Sequence, residues 1–112
     1  MRVGEAVGTG GCEVDFLVYM EVMGQPGAGD EALNLLRQEA ERARQLADAG
    51  VLRRLWRVPG RRANWGIWNA APIDELHQAI ASLPLFPHLN VTVHPLASHP
   101  NDPGLPLVEK NG

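Results

Sequence analysis

The segment from Val14 to Met23 (VDFLVYMEVM) is dense in β-branched, aromatic and other apolar residues and predicts a first strand. The stretch Gly24-Gln25-Pro26-Gly27-Ala28-Gly29 reads as a loop, with Asp30 as the N-cap of the next element. From Glu31 to Ala49 the chain is rich in Ala, Leu, Glu, Gln and Arg without a breaker, so a helix is expected, closed by Gly50 as its C-cap glycine. Val51 to Val58 (VLRRLWRV) and Arg61 to Asn69 (RRANWGIWN) flank a Pro59-Gly60 turn and predict a strand hairpin. Pro72 occupies a first helical position, with Asp74 and Glu75 in the electropositive first turn of a second helix. Its buried stripe is expected to be Ile73, Leu76, Ile80 and Leu83, and Leu83-Pro84-Leu85-Phe86-Pro87 stops it. Leu89 to Leu96 (LNVTVHPL) is the last strand, followed by a Pro/Asn/Gly-rich tail.

The resulting order is β-α-β-β-α-β, the split βαβ pattern of an α+β, ferredoxin-like fold with an antiparallel sheet. The expected layout is a flexible leader over 1–13, one domain over 14–97 and a C-terminal tail over 98–112. Two helices on one face of a four-stranded sheet leave the other face bare. A chain of 112 residues has little core to spare, so a homo-oligomer, at least a dimer with paired sheets, is expected from burial alone.

Composition narrows the function classes. Hydrophobic residues at 45% and charged residues at 21% indicate an ordinary globular domain. The formal charge is −3, although nine of the ten basic residues are arginine. That balance argues against nucleic acid or an anionic membrane as partner, even with Trp56, Trp65 and Trp68 near the arginines. No apolar run reaches the length of a membrane span. The single cysteine, Cys12, excludes an intrachain disulfide framework, and the leader lacks the features of a signal peptide, so a cytoplasmic location is expected.

Glu39 is the most informative single position. At about 100° per residue the first helix carries an apolar stripe of Ala32, Leu36, Ala40, Ala43, Leu46 and Ala47, and Glu39 falls inside it. A carboxylate turned toward a sheet loses hydration, and its pKa rises into a range useful for proton transfer. The competing reading is an ion pair with Arg54 or Arg57 that serves structure alone. The hairpin holds Arg53, Arg54, Arg57, Arg61 and Arg62. Strict alternation groups Arg53 and Arg57 with Leu55, and Arg54 with Leu52, Trp56 and Val58. At least one guanidinium then faces a cleft, where it suits a small organic acid. His77, His88, His94 and His99 show no metal-ligand spacing. No metal and no cofactor are expected, which leaves cofactor-free acid–base chemistry.

GVLRRLWRVPGRRAN from Gly50 to Asn64 and DELHQAIASLPLFPHLNVTVHPLASHP from Asp74 to Pro100 resemble the muconolactone Δ-isomerase family. The likeness runs from about Asp15 to Asp102, and Glu39 matches an acidic position of that family's first helix. The resemblance implies a ferredoxin-like subunit, sheets paired into a dimeric α/β barrel, and a larger closed homo-oligomer, typically a decamer. It also implies a 1,3-proton transfer that converts muconolactone, a small lactone carboxylate, to 3-oxoadipate enol-lactone in aromatic catabolism. On that chemistry Glu39 is the catalytic candidate, and Arg54, Arg57, Trp56, Asn64, His77 and His99 are the substrate-binding candidates. Arg54, Arg62 and His88 depart from the family pattern, which has histidine, an aromatic residue and tyrosine there. A related substituted lactone (with isomerisation or dehalogenation), a cofactor-free oxygenase or a small-ligand binding module are the alternatives.

Overall fold

The computed structural model describes residues 13–104. Cys12, most of the leader and the end of the tail lie outside the described residues. The elements are β1 (Val14–Val22), α1 (Gly29–Asp48), β2 (Leu52–Arg57), β3 (Ala63–Ala70), α2 (Ile73–Ala81), a short 3₁₀ turn (Phe86–His88) and β4 (Leu89–Leu96). The expected β-α-β-β-α-β order holds. The strands form one antiparallel sheet in the order β2-β3-β1-β4, with β1 pairing to both β3 and β4. Among the described residues no helix is long and apolar enough to cross a membrane.

One face of the sheet carries the core. Phe16, Val18 and Met20 of β1 alternate inward beside Trp68 and Ala70 of β3, and pack with Leu46 of α1 and Leu76, Ala79 and Ile80 of α2. Each of the buried Val, Leu, Ile, Phe and Met side chains adds roughly 1.5–3 kcal/mol of transfer free energy. Leu83 and Leu85, which flank Pro84, are also buried and tie the end of α2 to this core.

Several boundaries and faces differ from the sequence-based expectation. Asp30 is not the N-cap: α1 begins at Gly29, capped by Ala28 without a side-chain hydrogen bond, and Asp30 lies in the first turn. Pro72 is the N-cap of α2 rather than its first residue. Ile73, the first residue of α2, is 55% exposed, and Ala79 joins Leu76 and Ile80 in the buried stripe. In α1 the inward residues are Ala32, Leu35, Glu39, Ala43 and Leu46, whereas Leu36, Ala40 and Ala47 are exposed.

The C-terminus of α1 closes as expected. Gly50 takes φ +81°, its N–H donates to Ala47 O at 3.0 Å, and the Val51 N–H donates to Leu46 O at 2.9 Å. This is the paired-bond termination that a left-handed glycine allows, and it turns the chain directly into β2.

The alternation of β2 is broken once. Leu52 pairs with Trp68, yet Arg54 pairs with Ile67, so Arg53 is an extra residue in a bulge. Leu52 therefore shares the helix-facing side with Leu55 and Arg57, not the side of Arg54 and Trp56 as strict alternation would have it.

Candidate active site

A cavity of about 690 Å³ opens between the first half of α1, the loop after β1 and the tip of the β2–β3 hairpin. Its apolar walls come from Leu35 and Leu36 of α1, Leu55 of β2 and Leu85 before the 3₁₀ turn. Its polar groups include Arg57, Arg61, Arg62 and Asn64. The loop wall (Gln25, Pro26 and Gly27) is held by the hairpin: the Arg62 guanidinium donates to Gly24 O, close to where Arg61 grips Glu21.

Glu39 sits behind this cavity. It lies one turn after Leu35 on the inward stripe of α1, and its Oε1 accepts a hydrogen bond from the Leu85 N–H at 2.8 Å. Both Leu35 and Leu85 are wall residues, whereas Glu39 is not itself among the lining residues, so its carboxylate stands behind the wall they form. Burial pushes the Glu39 carboxyl above its ordinary value, and the Leu85 N–H opposes this in part. No arginine pairs with Glu39 among the described residues, so the structural ion pair with Arg54 or Arg57 is not formed.

The arginines separate into three roles. Arg61 donates to both carboxylate oxygens of Glu21 at 2.9 and 3.1 Å. Arg54 points to the bare face of the sheet, with its guanidinium carbon 4.6 Å from the centre of the Trp56 ring, a cation–π contact. Arg57 lines the cavity opposite Asn64 in the ladder, and its guanidinium makes no hydrogen bond or ion pair among the described residues. It is the guanidinium best placed for an anionic ligand.

Asn64 and Trp56 also line the cavity. Asn64 Oδ1 is buried without a hydrogen-bond partner, as is Nε1 of Trp68; the Asn64 amide can turn to present either an acceptor or N–H donors. His77 and His99 are not brought to this cavity. His77 is exposed on α2, edge-on to Phe86 with ring centres 6.2 Å apart. His99 is exposed in the tail, where its Nδ1 accepts from the Asn101 N–H at 3.0 Å. Among the described residues no three His, Cys, Asp or Glu side chains converge as a metal site would require.

The sequence reading missed the Leu85 amide. The signal was the Pro-flanked turn itself, since prolines at 84 and 87 leave few N–H groups there and make each remaining one consequential.

Residues 14–102 match the profile of a family described as muconolactone delta-isomerase. The chain belongs to the muconolactone delta-isomerase family. Its relatives in that family include muconolactone delta-isomerase of Cupriavidus pinatubonensis, 38% identical over 89 residues, covering 77% of this chain and 95% of the relative. The enzyme of Pseudomonas aeruginosa is 34% identical over 71 residues, covering 63% and 74%. A crystal structure of muconolactone isomerase superposes with a TM-score of 0.74 at 30% identity, covering 82% of this chain and 97% of that one. The family match thus spans every element that frames the cavity.

Proposed function

We propose that this chain is a cofactor-independent isomerase that moves the ring double bond of muconolactone to give the enol-lactone. The observation that carries this reading is the juxtaposition of a half-buried, hydrogen-bonded carboxylate with a cavity wall that holds an unpaired arginine. The chemistry needs little more. Glu39 removes the acidic ring proton at the carbon bearing the side chain, and the electrons pass through the ring double bond onto the lactone carbonyl oxygen as a dienolate. The same carboxyl then returns the proton to the carbon next to the carbonyl, two positions away. Atoms balance, no electrons leave, and one base serves both halves if the two carbons share a face of the ring. Arg57 would hold the substrate carboxylate, and Asn64, with its amide N–H turned inward, would offset charge on the carbonyl oxygen.

Purified protein mixed with muconolactone should change its ultraviolet absorption as the double bond migrates; no change at high enzyme concentration rejects this substrate. Replacing Arg57 by alanine is expected to raise KM by about ten- to a hundredfold, with a smaller effect on kcat, because the lost contact is made in both ground and transition states. Steady-state kinetics checks this, and Arg54→Ala, on the opposite face, serves as the comparison.

The same proposal includes self-association. The bare sheet face presents Leu17, Tyr19, Trp65 and Ile67 in a half-buried cluster, with Tyr19 and Trp65 ring centres 5.0 Å apart and Leu96 41% exposed. Covering it with a second copy removes this apolar area from water. Ile67→Asp would place a charge at its centre, and sedimentation is expected to show a smaller species than the unmodified chain.

A further inference from the structure

The Leu83-Pro84-Leu85-Phe86-Pro87-His88 segment spends three of its four backbone donors locally. The Leu83 N–H goes to Ile80 O at 3.1 Å, the Phe86 N–H to Leu83 O at 2.9 Å and the His88 N–H to Leu85 O at 2.7 Å. The two prolines have no N–H to give. The Leu85 N–H is different: it crosses to α1 and donates to Glu39 Oε1, 46 residues away in sequence. The Leu85 side chain is 6% exposed, so the group that reaches Glu39 is held by the core itself.

We infer that the Leu85 amide is a positioning group for proton transfer, anchoring Glu39 Oε1 so that Oε2 alone carries the migrating proton. A protonated carboxyl has one carbonyl oxygen that accepts and one hydroxyl that donates. The oxygen facing a fixed N–H must remain the acceptor in both protonation states. The proton taken from the substrate then resides on Oε2, and the carboxyl cannot rotate to offer the other oxygen. Abstraction and return become the work of one atom on one face of the ring. This inference rests on the proposed role of Glu39 as the shuttle.

Leu85→Pro removes the N–H, and φ of −82° at this position is within reach of a proline ring, although a second proline after Pro84 strains the Leu83–Phe86 turn. Leu85→Ala truncates the same wall but keeps the N–H. The N–H favours the carboxylate, so the acidic limb of kcat/KM in Leu85→Pro is expected to move to higher pH, with kcat lowered on the order of ten- to a hundredfold. Leu85→Ala should keep the limb of the unmodified enzyme. In heavy water, product formed by Leu85→Pro should contain more solvent deuterium than product formed by Leu85→Ala. Identical limbs and identical deuterium content in the two variants would overturn the inference.

If Leu85→Pro does not fold, amide NMR of the unmodified chain decides. The Leu85 N–H resonance should titrate with the same midpoint as the kinetic limb and lose that titration in Glu39→Gln. A Leu85 resonance insensitive to Glu39 overturns the inference while leaving the isomerase reading intact. Full activity in Glu39→Gln overturns both.

Discussion

Glu39→Gln is expected to lower kcat by about two to four orders of magnitude, the range that a positioned general base contributes. Glutamine keeps the shape and its amide oxygen can still accept from the Leu85 N–H, so the fold should persist. The loss should appear in kcat and kcat/KM together, because no proton acceptor remains behind the cavity. Stability should move the other way. Burial raises the Glu39 carboxyl above its ordinary value, so the folded chain binds that proton more tightly than the unfolded chain. The contribution to stability is fully present below the unfolded pKa and is lost as pH rises through the folded one. Glu39→Gln does not titrate and escapes that loss. Relative to the unmodified enzyme it should gain stability between about pH 4 and pH 7, with little difference at the acid end. Urea midpoints at the two pH values, at fixed protein concentration, check the sign. Unchanged kcat would remove Glu39 from the mechanism.

The largest loss of stability is expected for Trp68→Ala, about 3–5 kcal/mol. Trp68 is 1% exposed and stands mid-sheet, opposite Phe16 on one side and Leu52 on the other. It packs in the cluster that includes Leu76 and Ile80 of α2, so its removal opens a void that rigid strands cannot close. Gly66 explains how so large a ring fits. A Cβ there would lie 3.0 Å from Trp68 Nε1 and 3.1 Å from Leu55 Cδ1, so the indole and the leucine occupy the space a side chain would need. Trp68→Phe should cost much less, on the order of 1 kcal/mol, because the lost indole N–H has no partner to forfeit. Chemical denaturation of the two variants separates volume from hydrogen bonding; equal losses would contradict this account.

The order of elements was legible because each boundary carries its own chemistry. Gly50, Pro59-Gly60 and the Leu83–Pro87 turn all interrupt the chain where the structure does. The phase of α1 was less legible. Alanines at 32, 40, 43 and 47 populate more than one side of the helix, so a stripe drawn through Leu36 fitted as well as one through Leu35. The structure selects Leu35 and leaves Leu36 56% exposed at the cavity mouth. Glu39 survives because it lies within both stripes. Among the arginines, residue type pointed to an anion site, but the choice of Arg57 over Arg54 depends on a bulge that no local pattern announced. His77 and His99 were named for their chemistry alone, and helix phase and tail placement set them apart from the cavity. The Leu85 amide is a backbone group, invisible to a search for functional side chains.

That bulge also sets which codons this chain can gain or lose. Arg54-Leu55-Trp56-Arg57 encodes two complete strand faces, and whether residue 53 is bulged out or paired decides which one looks inward. Loss of codon 53 restores regular pairing and leaves Leu55 and Arg57 in place. Without the bulge, the same letters in strict register would put Arg54 and Trp56 inside and send Arg57 outward. Extrusion of residue 53 as a bulge, rather than any substitution in the strand, is therefore what holds the aliphatic, cationic wall inward in place of an aromatic one.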